Sequence, residues 1–108
     1  MRLPNDIAVT VEDDRATVAL TGEHEAYSAD RLARRLTALI AEGAGITVDL
    51  THAEFIDSTV VGTLIAARRR AHETGLAFDF ELGDETGWPV RRLLEVVGFA
   101  PGSTSGRR

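Results

Sequence analysis

Apolar positions along the chain follow two rhythms, one of period two and one of period three to four. Ile7, Val9 and Val11 alternate with polar or small residues and predict a first strand. Glu12, Asp13, Asp14 and Arg15 make an acidic, polar turn, after which Val18 and Leu20 resume the alternation, with Thr17, Ala19 and Thr21 on the other phase. Two such runs around a four-residue turn predict a β-hairpin, which Gly22 ends. Residues 23–27 read as a polar loop. Ser28 is a good helix N-cap, and Asp30 falls in the first turn, where negative charge is favoured. Leu32, Leu36, Leu39 and Ile40 recur at i, i+4, i+7 and i+8, one face of a helix that Gly43 and Gly45 end. Residues 46–50 alternate again and predict a third strand. Thr51, His52, Ala53 and Glu54 form a short polar step, and the apolar pair Phe55-Ile56 returns the chain to the core. Asp57, Ser58 and Thr59 are all N-cap residue types. Val61, Leu64 and Ile65 then fall at i, i+3 and i+4, which predicts a second helix over residues 58–73, with Gly75 as its C′ glycine. Leu76, Phe78, Phe80 and Leu82 alternate with Ala77, Asp79 and Glu81, a strand with one polar face. After a loop over residues 83–87, Val90, Leu93, Leu94 and Val97 give a third helix closed by Gly98.

The predicted order is β-β-α-β-α-β-α. Strands separated by helices imply parallel neighbours joined by right-handed crossovers, and the hairpin adds one antiparallel strand. The expected fold class is α/β: a single domain over residues 1–100 with a small mixed β-sheet and helices packed against it. Residues 101–108 carry no apolar residue and are expected to be a disordered tail. The chain has 108 residues. A domain of that size buries about 60–70% of its unfolded surface, enough for a core without staples. There is no cysteine, which excludes disulfides and thiolate metal sites. No run approaches the roughly 18 apolar residues of a membrane span. No charged-then-apolar leader opens the chain, and the expected location is cytoplasmic. The net charge of −5 argues against nucleic acid as a partner. All twelve basic residues are Arg, which rules out a P-loop lysine and a Schiff-base lysine.

Candidate chemistry concentrates at Asp57-Ser58-Thr59. A helix start leaves backbone N–H groups unpaired and carries the positive end of the dipole. A cap needs one side chain, and here three stand in a row. Val60 and Val61 occupy the places where a capping box would need Glu or Gln after Asp57 or Ser58. A hydroxyl at such a terminus is well placed to carry a phosphate, because the terminus favours anions. Other chemistries fit poorly. Ser58, His52 and Asp57 lack the G-x-S-x-G elbow of a serine hydrolase, and Asp57 adjoins Ser58 too closely to orient His52 from behind. His24, His52 and His72 are widely spaced and read as exposed polar residues, not metal ligands. Asp49 reads as a partner for the sheet edge or a backbone N–H, not as half of an acid–base pair with Asp57. Arg68, Arg69 and Arg70 suit the negative end of the second helix. Trp88 beside Pro89 is either a surface aromatic or a lid on the core.

The segment V-D-L-T-x-x-x-F-I-D-S-T-x-x-G-x-L-I-A-A-R-R-R-A, from Val48 to Ala71, resembles the signature of STAS domains, the family of bacterial anti-sigma factor antagonists. P-V-R-R-L-L-E-V-V-G-F, from Pro89, is similar to the last helix of that family. Two departures stand out. Val60-Val61-Gly62 replaces Gly-Leu-Gly, and Gly22-Glu23-His24-Glu25 replaces Gly-x-Leu-Asp, without its hydrophobic anchor. The resemblance implies a protein that binds and does not catalyse, with no cofactor and no metal. Its implied role is an anti-sigma factor antagonist whose unphosphorylated form binds an anti-sigma factor of the ATP-dependent serine kinase type. That kinase would phosphorylate Ser58 and end the complex, and a phosphatase would be a further partner. The alternative is a STAS scaffold that is never phosphorylated, or an accessory subunit of a stress-signalling complex or of a lipid or anion transporter. Sites in open α/β sheets form outside the carboxyl ends of the strands. The expected partner face is therefore Thr51, His52, Glu54, Asp57, Ser58, Thr59 and Thr63, with Glu23, His24 and Glu25 at its edge.

Overall fold

The computed structural model describes residues 5–96 and 98. The expected tail at 101–108, the domain limit at residue 100 and the helix position Val97 lie outside the described residues. The elements are β1 (Asp6–Glu12), β2 (Arg15–His24), α1 (Ala26–Ala41), β3 (Gly45–Asp49), β4 (Ala53–Ile56), α2 (Ser58–Glu73), β5 (Phe78–Glu81) and α3 (Trp88–Val96). They form one five-stranded sheet in the order β1-β2-β3-β5, with β4 paired to β2.

The alternation along each strand decides which face of the sheet is buried. Ala16, Val18 and Leu20 of β2, Ile46, Val48 and Leu50 of and after β3, and Phe78 and Phe80 of β5 are buried. The parallel registers line these up in rows: Ala16, Ile46 and Phe78 in one, Val18, Val48 and Phe80 in the next. Leu32, Leu36, Leu39 and Ile40 of α1 and Val60, Val61 and Leu64 of α2 complete the core above them. Phe78 and Phe80 meet edge to face, with ring centroids 5.6 Å apart. The opposite phase is wet. There Arg15 reaches across Thr47 (3.1 Å) to Asp79 (2.7 Å), an ion pair laid over three strands on the solvated face. At the β1 edge the cover thins, so Ile7 is buried while Val11 is exposed.

Three sequence expectations change. The hairpin turn is Asp13-Asp14 alone, because Glu12 and Arg15 already pair across the ladder. Asp13 takes the left-handed conformation (φ 57°) that a tight hairpin requires. Gly22 does not end β2. The strand runs on to His24, and Gly22 instead sits at a register shift with φ 84°, the left-handed conformation that glycine adopts without a Cβ penalty. The polar step is in part a strand: β4 runs parallel to the end of β2, pairing Ala53 with Gly22 and Ile56 with His24. Ile56 is buried but Phe55 is 37% exposed, so only one member of the expected apolar pair enters the core.

Two glycines make opposite demands. Gly62 lies exposed inside α2 with open space where a Cβ would go. Gly87 packs so closely on the Glu54 backbone that a Cβ would collide with it. In urea denaturation, Gly62→Ala is expected to raise stability by about 0.5–1 kcal/mol, the helix-propensity gain of alanine over glycine. Gly87→Ala is expected to lower it by about 1–3 kcal/mol through overpacking. Equal stabilities for the two variants would contradict this packing.

Candidate functional site

The site grows out of the step between β3 and α2. Asp49 ends β3, and its Oδ1 accepts a hydrogen bond from the Thr51 N–H at 2.9 Å, which turns the chain. It is thereby occupied structurally, as the sequence suggested. The His52 carbonyl then accepts from the Gly22 N–H at 3.0 Å, and β4 begins. At its end the Asp57 N–H donates to the His24 carbonyl at 3.2 Å. Asp57 itself is extended (φ −100°, ψ −179°) and is the N-cap of α2. Its Oδ1 accepts from the Val60 N–H at 2.9 Å, and its carbonyl accepts from the Val61 N–H at 3.1 Å.

Asp57 thus does the capping, and Ser58 is left over. Ser58 is exposed as the first residue of α2, and among the described residues no group hydrogen-bonds its hydroxyl. Thr59 is exposed one residue on. Half-buried Thr63 donates to the Thr59 carbonyl at 3.1 Å. Two grooves flank this helix start. One runs between α1 and α2 and includes Thr59, Gly62 and Thr63 with Ala33 and Thr37. The other, about 370 Å³, holds Asp57 and Ser58 against Phe55, Trp88, Arg92 and Val96.

The second groove is what sequence reasoning missed. Trp88 is 71% exposed and Val96 70% exposed, so Trp88 is a surface aromatic and not a lid. Loop packing carries them to the site: Thr86 Oγ1 donates to the Leu50 carbonyl at 2.9 Å, and the Gly87 N–H donates to the Ala53 carbonyl at 2.8 Å. Pro89 then falls in the first turn of α3, where its missing N–H costs nothing. The signal for this face was Trp88-Pro89 together with the large apolar Phe55 in an otherwise polar step.

The other expected contact residues scatter in their environments. Glu54 is exposed, and Thr51 is half-buried with its methyl against Gly83. His52 is exposed but engaged, its Nδ1 2.8 Å from Glu85 Oε1. Glu23 is half-buried and Glu25 is exposed as the N-cap of α1, without a side-chain cap bond. His24 and Ser28 are corrections. His24 is 1% exposed on the buried phase of β2, so it cannot touch a partner directly and is not an exposed polar histidine. Its Nε2 lies 3.0 Å from the Thr21 carbonyl and its Nδ1 3.0 Å from Ser28 Oγ. Burial lowers its pKa below the ordinary histidine value, and the charge of Arg31 acts in the same direction. Backbone hydrogen bonds at Thr21 and Asp6 and the Asp6 charge oppose this without cancelling it. Ser28 lies inside α1 and is buried; the N-cap is Glu25, three residues earlier.

No group of three or more His, Cys, Asp or Glu side chains suited to a metal ion occurs among the described residues. No described helix is long and apolar enough to cross a membrane.

Over residues 7–100 the chain matches the family described as "Mlab, STAS domain", and it belongs to that STAS family. Among solved structures, the anti-sigma factor antagonist SpoIIAA in its unphosphorylated form aligns over 87% of this chain and 82% of its own, at TM-score 0.75 and 18% identity. An anti-sigma factor antagonist from Mycobacterium paratuberculosis aligns over 88% and 79%, at TM-score 0.70 and 21% identity. The phosphorylated form of SpoIIAA from Bacillus aligns over 89% and 85%, at TM-score 0.71 and 16% identity. These likenesses establish the fold as that of the SpoIIAA-like antagonists. No curated protein matches the chain.

The capping role has a direct check. Asp57→Ala is expected to cost about 0.5–2 kcal/mol in chemical denaturation, while Asp57→Asn retains most of that, since Asn caps nearly as well. An alanine variant as stable as the wild type would show that the Val60 bond contributes nothing.

Proposed function

We propose that this chain is an anti-sigma factor antagonist, a binding protein and not an enzyme, switched by phosphorylation of Ser58. The observation that carries the reading is the division of labour at the start of α2. Asp57 satisfies the helix end, and Ser58 is exposed with no partner for its hydroxyl among the described residues. A kinase can therefore reach Ser58 without dismantling a cap. The partner is an anti-sigma factor of the ATP-dependent serine kinase type, with a phosphatase to reverse the mark. Its docking face is the exposed part of Asp57, Ser58 and Thr59 together with the groove of Phe55, Trp88 and Val96. Thr51, His52, Glu54, Thr63, Glu23 and Glu25 form the polar surround. Phosphorylation adds roughly −1.5 to −2 charges at the mouth of that apolar groove, beside Asp57. In a complex that charge must be desolvated and is repelled by the carboxylate, which lowers affinity.

A second reading is supported by the groove itself. Its walls are mostly apolar, and permanent interfaces are the more hydrophobic ones. On that reading the chain is a STAS subunit held constitutively in a larger complex, with Ser58 unmodified.

The two separate on one protein series. Ser58→Ala, Ser58→Glu and phosphoserine at position 58 are titrated by calorimetry against a kinase-type anti-sigma factor from the same genome. Ser58→Ala is expected to bind as the wild type does, and phosphoserine to bind about 5–150-fold more weakly, a coupling of roughly 1–3 kcal/mol. Ser58→Glu is expected to fall between, because a carboxylate carries less charge and fewer acceptor oxygens. Equal affinities across the series would overturn the switch and leave the permanent subunit. Trp88→Ala is expected to weaken either complex by more than about 2 kcal/mol, as a buried tryptophan anchor does.

A further inference from the structure

His24 is buried, titratable and unused by the docking reaction. The Thr21 carbonyl 3.0 Å from Nε2 can only accept, so Nε2 carries the ring proton in the neutral form. Nδ1 is then an acceptor, and its neighbour at 3.0 Å is the Ser28 hydroxyl, which donates to it. The same hydroxyl has a second acceptor within reach, the Glu25 carbonyl at 3.1 Å. The pair therefore joins the last residue of β2 to the first turns of α1. That join is needed, because Glu25 offers no side-chain cap to the helix.

We propose that His24 and Ser28 form a proton-operated latch that holds the start of α1 to the end of β2 and loosens the docking end of the domain in acid. A proton from solvent adds to the Nδ1 lone pair. The Ser28 hydroxyl turns to accept from the new N–H and donates its own hydrogen bond to the Glu25 carbonyl. Every polar atom keeps a partner, but the cation stays buried. The charged groups around it are divided. Asp6 on β1 favours the imidazolium, and Arg31 on α1 opposes it. Glu23 and Glu25 flank it in sequence, and Asp57 bonds to the His24 carbonyl. Burial outweighs the favourable charges, so protonation favours opening of the junction. The opening reaches Ser58 through one bond, the Asp57 N–H to the His24 carbonyl at 3.2 Å. The sign follows from linkage. A folded-state pKa below the unfolded one means that the unfolded state binds more protons in between. Stability is therefore full above about pH 6.5 and is lost as pH falls through the lowered value. The latch goes beyond the switch at Ser58 and stands whether or not that residue is modified.

Imidazole and amide NMR of the full chain tests it between pH 7.5 and pH 4.5. The expected neutral ring is the Nε2–H tautomer, titrating below about pH 6.5. The Asp57 and Ser58 amides are expected to shift with the His24 midpoint in the wild type and to lose that transition in His24→Gln. Ser28→Ala, which leaves the strand face intact, is expected to move the midpoint further down, since the buried imidazolium loses its acceptor at Nδ1. An Nδ1–H tautomer, a midpoint unmoved by Ser28→Ala, or Asp57 and Ser58 amides indifferent to the His24 midpoint would each overturn the latch.

Discussion

The short parallel pairing of β4 with the end of β2 governs where everything functional lies. It is only a few residues long, yet it is fixed at both ends. The Gly22 N–H bonds the His52 carbonyl before it, and the Asp57 N–H bonds the His24 carbonyl after it. Gly22 makes the register shift possible by taking a conformation that costs other residues a Cβ clash. Once Asp57 is tied to β2, its carboxylate can reach only the first turn of α2, and Ser58 is presented to solvent. From the other side, Gly87 lies against the Glu54 backbone and brings α3 beside β4. The strand pairing, the cap and the groove are consequences of one junction.

That arrangement separates stability from recognition. The core rows of β2, β3 and β5 are sealed beneath α1 and α2, and Asp57, Ser58 and Thr59 lie outside them. The proposed recognition face uses exposed groups at the carboxyl end of the strands, where a charge can be added without breaking a core contact. The polar opposite face, with Arg15 bridging to Asp79, keeps the rest of the sheet surface solvated. The exposed Phe55, Trp88 and Val96 are large apolar groups left uncovered next to Ser58. Exposed apolar surface of this kind marks an interaction site.

Much of this was legible in the pattern of residues. The three helices, the hairpin and the strands β3 and β5 follow directly from apolar spacing, and the cap at Asp57 from residue type. β4 was not legible, because only its first and last residues are buried and four residues cannot display an alternation. His24 was misread from its acidic neighbours. Continuing the even phase of Ala16, Val18 and Leu20 would have placed it on the buried face. Ser28 is a cap by type, but the helix starts earlier and its hydroxyl is engaged with His24 and the Glu25 carbonyl. The groove was hidden for a different reason. It joins β4 to α3, and no local periodicity reports a face assembled from segments distant in sequence.

The central claim is that partners dock on the start of α2 and the groove beside it. Amide hydrogen exchange of the chain, alone and with the proposed anti-sigma factor partner, tests this most directly. The account predicts new protection at Asp57, Thr59 and Val60 and along α3 from Trp88. Protection confined to the hairpin turn at Asp13-Asp14 and the solvated face around Arg15, with none at the start of α2, would contradict it.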